Sequence, residues 1–600
     1  MNKWQVMIRL KAIVAICMAL SAQVQAGLSK QADIGAMTTV AKKQLGNPFG
    51  LDDATVAQLA KTTTWRRLLL FADTPTKNDQ SRVQNPKFFL SDEGEKNPQA
   101  ELVAMLTAMQ NRDNQAICQF VARVYFLNQS LAERGINTRV DDSSCQAFWQ
   151  FADTINAKRL SLIFAEENPN NIASAFGHVW LRADADTIDD SEAVAINYTV
   201  ATDRADNAIK STTKSIFGGY AGVMEMMSYE QKAQDYLVKD GRDLWQFELD
   251  LTADEVMQIV RHIWEIKDMA RPYFFTHDNC ATEIVRLLDV VRDKAQLSKA
   301  VGKVVIPARM AFVLKQQNML ADERFIPSQA TIRQARLNRG GDLSELLPNH
   351  NNPTQANAVY RFGVGGGFDK QADDAVYGVQ LTAAYQDLLD NPNGTRQLLD
   401  LQLLSLTVRA DNHRLRLDDF TLFATRSLNP VNTAKNNASD DKAAYATGMG
   451  IRLHRVIDAS SPANDDALVF DVGVQRGKSW AFGKTDDNRG EFADTVCYAL
   501  LDGKMQLGRI NQGYRLALGP SLGCVSYLTK SVRMMTQLDM PYYYHPDRGS
   551  SNRSGYMQPT VSFAVQKDLS ANHALRLTAK AERLNDASNK QAMLYLYRYF

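Results

Sequence analysis

Cys280 is the residue around which a reaction could be assembled. It follows Tyr273-Phe274-Phe275 and Thr276-His277-Asp278-Asn279, and the spacing of apolar residues over 280–291 predicts a helix that begins at the cysteine, with Asp278 and Asn279 placed to cap its free amides. At a helix N-terminus those amides and the macrodipole favour thiolate over thiol, which predicts a lowered pKa and a nucleophile; the same amides can hold an oxyanion. A thiol nucleophile also needs a base. His178 meets that need in Ser174-Ala175-Phe176-Gly177-His178-Val179-Trp180-Leu181, where Gly177 lets another backbone come close to the strand. One histidine on an apolar strand is ordinarily a satisfied core residue, and Cys280 is what makes His178 a candidate. A third polar group must orient the imidazole, and Asn197, in Ile196-Asn197-Tyr198 on the next strand, is placed for it. His277 is the rival base, but three residues before Cys280 it is expected to point away. Asn279 and Ser174 are the candidate oxyanion or support groups, and no substrate-binding residue is legible.

The cysteine count leads to the same residue. Six cysteines in 600 residues are too few for a disulfide scaffold. Cys17 lies in a short apolar run (12–20) flanked by Lys3, Arg9 and Lys11 and by Val24-Gln25-Ala26, the pattern of a secretory signal spanning 1–26. That run is about half the ~20 residues a membrane-spanning helix needs. Export permits disulfides. Cys118 and Cys145 can close on each other, as can Cys497 and Cys524, although spacing alone leaves the connectivity open. Cys280 is then left over, either a buried inert thiol or a nucleophile.

Several function classes are excluded. Lys+Arg 68 against Asp+Glu 67, a net charge of +1, argues against a nucleic-acid binder that relies on phosphate neutralisation. A chain that is 45% hydrophobic, 9% aromatic and 22% charged is not disordered. There is no His-Glu-x-x-His, Cys-x-x-Cys, Gly-x-Ser-x-Gly or phosphate-binding loop, so neither metal nor cofactor is expected. The acidic run Asp184, Asp186, Asp189 and Asp190 lacks ordered calcium-loop spacing and reads as a solvated turn.

These residues must be positioned by α+β elements. Residues 27–157 read as a helical cap, with apolar residues three and four apart over 51–70 and 100–131. Residues 158–326 read as a mixed domain with strands over 160–165, 176–183, 193–200 and 244–251, a Gly-rich turn at 218–222 and helices over 254–266 and 280–291. A linker spans 327–356. From 357 to 600 the chain becomes roughly twelve alternating segments of about ten residues, the length of a tilted membrane strand. A soluble β-sandwich also alternates. Small polar residues on one face, aromatic residues near segment ends and the final Tyr595-Leu596-Tyr597-Arg598-Tyr599-Phe600 favour an antiparallel outer-membrane barrel, although Arg598 departs from the usual terminal signature. Gly363 to Gly367 lies in a strand with no helix after it and reads as barrel packing.

The order of histidine on a strand, polar residue on the next strand and cysteine on a later helix resembles a permuted papain-like arrangement, as in permuted NlpC/P60-like thiol enzymes. More closely, the chain resembles the DUF4105 family, the Lnb-type periplasmic domain of bacterial lipoprotein N-acyltransferases. The residues that carry this are Trp65-Arg66-Arg67-Leu68-Leu69, Asn97-Pro98-Gln99-Ala100-Glu101-Leu102, 174–182, Gly218-Gly219-Tyr220-Ala221-Gly222, Arg242-Asp243-Leu244-Trp245 and 273–280. The resemblance implies an acyl-cysteine intermediate on Cys280 with His178 as base, a phospholipid acyl donor and a lipoprotein amine acceptor. The chain departs from it in one respect, because a barrel stands where inner-membrane helices are expected.

Two readings follow. One is a periplasmic thiol acyltransferase or hydrolase acting on lipid-linked or amide substrates, anchored in the outer membrane of a Gram-negative-type envelope and having no nucleic-acid partner. The other is a non-catalytic barrel whose degenerate thiol domain serves as plug or docking module. A peptidoglycan amidase of NlpC/P60 type is a variant of the first.

Overall fold

The computed structural model describes residues 48–168, 175–187, 189–200, 214, 218–332, 352–370, 374–396, 398–411, 414–428, 430–431, 445–460, 466–485, 493–510, 513–545, 554–584 and 587–600. The signal segment (1–26), Ser174 and most of the linker lie outside the described residues. The chain divides into two units, Met1–Gly50 and Leu51–Phe600; of the first, one helical turn, Pro48–Gly50, is described.

The second unit begins with six helices: α1 (Asp53–Ala60), α2 (Thr63–Leu68), α3 (Pro98–Gln110), α4 (Asn114–Gln119), α5 (Val121–Ala132) and α6 (Gln146–Ile155). Their starts follow local chemistry. Asn97 accepts from the Ala100 amide, and Pro98 occupies the first turn, where its missing N–H costs nothing. The Cys118–Cys145 disulfide ties α4 to the start of α6. Arg123 on α5 is fully buried between the rings of Phe88 and Phe120 and pairs with Glu101 at 2.7 Å and Glu265 at 3.1 Å. Losing one partner of such a buried group typically costs about 3–5 kcal/mol, so this ion cluster locks the cap onto the helix that carries Glu265.

Seven antiparallel strands form the next layer: β1 (Arg159–Ala165), β2 (His178–Asp184), β3 (Val194–Val200), β4 (Tyr220–Ser228), β5 (Leu244–Leu249), β6 (Arg271–Tyr273) and β7 (Leu320–Ile326), in the order β6-β4-β3-β2-β1-β5-β7. Between them run α7 (Tyr229–Gln234), α8 (Ala253–Ile266) and α9 (Cys280–Asp289). A Thr252/Glu255 capping box starts α8. α9 packs on β2 and β3, which brings its first residue toward the start of β2. The segment 218–222, expected as a Gly-rich turn, instead leads into β4. Gly222 lies under Tyr198, where a Cβ would come within 2.1 Å of the hydroxyl, so its role is close packing.

The C-terminal half is a closed antiparallel barrel of twelve strands. They are β8 (Arg361–Asp369), β9 (Asp374–Gln386), β10 (Leu399–Ala410), β11 (Leu415–Ser427), β12 (Ala446–Ile457), β13 (Asp466–Thr485), β14 (Ala493–Gly508), β15 (Tyr514–Thr529), β16 (Val532–Asp539), β17 (Thr560–Ser570), β18 (His573–Arg583) and β19 (Ser588–Tyr599). The ring closes where β19 pairs with β8, Tyr599 opposite Arg361. β16 and β17 are extended past Pro541 and Pro559 by the short pieces Tyr542–Tyr544 and Gly555–Met557, the breaks falling where proline has no N–H to give the ladder. A second disulfide, Cys497–Cys524, joins residues directly opposite on β14 and β15.

The alternation has the sense of a membrane barrel and not of a sandwich. Val364, Tyr377, Val474, Leu501, Leu518 and Leu594 point outward and stay exposed, while Arg361, Arg515, Arg533, Gln566 and Arg576 point inward and are buried. The tyrosines of the last strand face in: Tyr595 and Tyr597 lie against Gly365 and Gly363, where a Cβ would come within 2.5 and 2.4 Å of the rings. Arg598 faces out, over the ring of Phe600. Charged and polar side chains occupy part of the lumen. Arg361 and Arg576 share Asp387 and Asp390, which belong to the segment folded in between β9 and β10, and Ser479, Ser521 and Gln566 are 0% exposed. Among the described residues no helix is long and apolar enough to cross a membrane.

Candidate active site

α9 begins at Cys280 because Asn279 caps it. The Asn279 Oδ1 accepts from the amides of Ala281 and Thr282 at 3.0 and 3.2 Å, and the Thr282 hydroxyl answers the Asn279 amide. Its Nδ2 donates to the carbonyls of Phe275 and Val305 at 2.9 and 2.8 Å. Both donors of the side chain are thereby used, so Asn279 supports the site but has no N–H left for an oxyanion. Asp278, expected as a second cap, instead takes Arg82 and Arg286 at 2.5 and 2.6 Å, and their two charges hold its carboxyl below the usual carboxylate range despite burial. Cys280 is the free thiol among the described cysteines and is 2% exposed.

His178 is the first residue of β2. Gly177 before it has φ +81°, and a Cβ there would meet Phe164 Cε2 at 2.4 Å and the Ala165 carbonyl at 2.8 Å, so the chain can turn into the strand only as glycine. The imidazole packs against Tyr236 and Trp180, with ring centroids 6.1 and 5.9 Å away. Its Nε2 lies 2.7 Å from Asn197 Oδ1, and Asn197 Nδ2 lies 3.3 Å from Glu225 Oε2. A carboxylate can only accept, so Glu225 fixes which way the Asn197 amide points. Oδ1 then faces the histidine and Nε2 carries the proton, which leaves Nδ1 as the lone pair. Burial pulls the His178 pKa down to about 3, against the opposing hydrogen bond to Asn197, so the ring is neutral at physiological pH. His277, the rival, bonds its neighbour Thr276 and stacks on Phe274 at 4.6 Å, outside the cleft.

His178, Tyr273 and Cys280 line one narrow cleft. Burial pushes the Cys280 pKa up, outweighing the opposite pull of the nearby Val179, Ala281 and Cys280 amides and the Tyr273 hydroxyl, which favour thiolate. This corrects the lowered pKa expected from the helix start: the dipole acts on a sulfur from which water has been removed, and desolvation of the anion is the larger effect. The site holds a neutral thiol and a neutral imidazole, not an ion pair. Such a pair can act only by general-base transfer of the thiol proton as the sulfur attacks.

Three neighbours escaped the sequence reading. Tyr273 stood within a quoted motif but carried no sign of its partner. Glu225 sits on the strand mistaken for a turn. Leu403, which closes one end of the cleft, comes from barrel strand β10, more than a hundred residues beyond Cys280. Ser174 lies outside the described residues.

Residues 147–316 match the family model described as the Lnb N-terminal periplasmic domain, in line with the Lnb-type resemblance. Residues 350–599 match a domain of unknown function, DUF7840, and residues 57–130 another, DUF7843. No curated protein matches the chain. Among solved structures, KdgM porin is 7% identical over 40% of this chain and 99% of its own, with a TM-score of 0.22. NanC porin is 8% identical over 40% and 99%, with a TM-score of 0.24. An outer-membrane channel from Pseudomonas putida F1 is 12% identical over 42% and 100%, with a TM-score of 0.23. The chain is an exported outer-membrane protein with a periplasmic domain: its own closed ladder and apolar exterior supply the membrane part, and the matched model the periplasmic part.

Proposed function

We propose that the protein is a periplasmic thiol acyltransferase or hydrolase, held at the outer membrane by its barrel, that carries an acyl group on Cys280. The observation behind this is a single one: a free thiol at a helix start shares a cleft with a histidine whose far nitrogen is held by an amide at 2.7 Å. In this reading Nδ1 of His178 takes the thiol proton as Sγ bonds to the acyl carbonyl carbon. The oxyanion is received by the Cys280 amide and the Tyr273 hydroxyl, both close to the sulfur. His178 returns the proton to the leaving group as its bond to the carbonyl carbon breaks. An amine or water, deprotonated by the same nitrogen, then attacks the thioester and frees Cys280. The finer assignments, a DUF4105-type domain and a permuted papain-like fold, belong to this proposal; the antiparallel sheet carrying His178 and Asn197, with α9 packed on it, supports them.

The test is an acyl probe applied to the full chain in detergent. It should label the wild type and not Cys280→Ala; equal labelling of both would overturn the reading. Mass spectrometry of lipids, lipoprotein N-termini and peptidoglycan fragments from cells with and without Cys280 then separates the acceptors.

The non-catalytic alternative has its own support in the 2% exposure and raised pKa of Cys280, which are equally those of an inert buried thiol. Alkylation rate does not decide between the two, because both expect a slow thiol. Acyl transfer does.

A further inference from the structure

Residues 387–398 join β9 to β10 at the end of the barrel that meets the periplasmic domain, where Tyr360 bonds Val304 and Arg309 bonds the Phe600 carbonyl. The connection is far longer than the ladder needs. β9 and β10 pair as far as Gln386 and Leu401, and the turns 530–531 and 571–572 at the same end take two residues each. Its first residues, 387–390, turn into the bore. Asp387 takes Arg361 of β8 at 2.6 Å and Arg576 of β18 at 2.5 Å, Asp390 accepts from the Tyr599 hydroxyl of β19 at 2.6 Å, and the Leu389 carbonyl accepts from Arg533 of β16 at 2.7 Å. Leu388 and Leu398 share one apolar cluster with Val496, Tyr498 and Leu500 of β14 and Val525 of β15. In a ring of twelve strands β15 and β16 stand opposite β9 and β10, so the segment and the side chains that meet it bridge the bore from wall to wall. A ring of this size needs such a filler, because eight strands are closed by their own side chains while about sixteen leave an aqueous channel.

We propose that residues 387–398 are a plug over a solute path, and that the barrel conducts small hydrophilic solutes and ions when the plug leaves the bore. Beyond the plug the wall is polar and of both signs: Arg409 pairs with Asp369 at 3.4 Å and Asp418 at 3.2 Å, and Lys504 with Asp502 at 3.1 Å. Such a wall suits water and ions. Two fastenings hold the plug. Inside, Arg361 and Arg576 neutralise its two carboxylates. Outside, Arg396 donates to the Glu167 carbonyl of the periplasmic domain at 3.3 Å, two residues past Ala165, the strand partner of His178. A shift of that domain is thereby passed to the plug. The other mouth carries a shorter strap, residues 458–460, where Asp458 accepts from the Tyr556 hydroxyl at 2.6 Å and the Ala459 amide donates to Gln558 at 3.3 Å.

The experiment inserts the full chain into planar bilayers in potassium chloride and compares it with a variant in which residues 387–398 are replaced by a two-residue Asn-Gly turn, made alone and together with Asp458→Gly, Ala459→Gly and Ser460→Gly. Folding of each is read from the heat-shifted gel mobility of an intact barrel. Wild type should be closed for most of the record, and the plug-free chain should give steady conductance steps, either alone or with the strap loosened. Arg361→Gln with Arg576→Gln keeps the chain at full length and covers a deletion that fails to insert. It leaves two buried carboxylates without their cations, which shifts such an equilibrium by roughly a hundredfold, so open time should rise by about that factor. Folded variants that conduct no more than wild type, with plug and strap both altered, overturn the inference, and so does a wild type that conducts as steadily as the plug-free chain. Neither result touches the thiol chemistry, because no readout depends on Cys280.

Discussion

Replacing Asn197 by alanine isolates the group that sets the state of the base. In the resting site Asn197 Oδ1 accepts from a neutral imidazole at 2.7 Å. As the thiol proton moves to Nδ1 the ring becomes a cation and the same hydrogen bond becomes charge-assisted. A neutral bond contributes about 0.5–1.5 kcal/mol and a charged one about 1.5–3 kcal/mol, so the transition state loses about 1–1.5 kcal/mol more than the ground state, roughly a tenfold fall in acylation rate. The alanine also releases the tautomer. With no acceptor at Nε2, a share of the molecules places the proton on Nδ1, where it blocks the base of the proposed mechanism. The two effects together predict a fall of about ten- to a hundredfold, below the ~10²–10⁴ expected for removing the base itself in His178→Ala. Stability should drop by about 1–3 kcal/mol because Nε2–H is left buried without a partner. Asn197→Asp keeps the acceptor but loses the donor to Glu225 and sets two carboxylates facing each other across about the present 3.3 Å. The measurement is the pre-steady-state release of nitrophenol from a 4-nitrophenyl ester by the folded variants. An alanine variant within twofold of wild type, with intact folding, would refute the assignment of Asn197 as the orienting group.

Other outcomes follow from the same geometry. With His178 lowered to about 3 and the Cys280 thiol raised, acylation should be flat between pH 5 and 8; an acid limb near the ordinary histidine value would contradict the neutral pair. His262 is fully buried with neither ring nitrogen bonded, and its pKa also falls to about 3. Its unfolded form binds a proton from about 6.5 downward and its folded form does not, so its contribution is complete above that value and is lost as pH falls toward 3, while Glu265, raised to about 7, acts in the opposite sense. His262→Leu should shrink the stability difference between pH 7 and pH 5 by about 2 kcal/mol in chemical denaturation, and an unchanged difference would count against its burial as a neutral ring. Gly177→Ala should cost about 2–4 kcal/mol, from overlap with Phe164 and a left-handed backbone, and should abolish labelling of Cys280.

Much of the scaffold was legible in local chemistry. Asn97, Thr252 and Asn279 announce helix starts, and the period-two pattern after 357 announces strands, because capping and pleat geometry act over a few residues. The strands Tyr220–Ser228 and Leu320–Ile326 were not legible. The first hides behind glycines that read as a turn, of which Gly222 makes room for Tyr198 and Gly218 for Phe274, and the second is a mostly exposed edge strand.

The sequence alone separates Cys280 from the paired cysteines and sets His178 and Asn197 on successive strands, since residue type and period carry that information. The tertiary structure decides the protonation state of the thiol, because desolvation depends on everything packed around the sulfur and reverses what the helix start by itself implies. It also decides that Asn279 is spent on capping, that Tyr273 faces the sulfur and that a barrel leucine closes the cleft. Those contacts join residues far apart in the chain, and no local pattern encodes which distant surface completes a pocket.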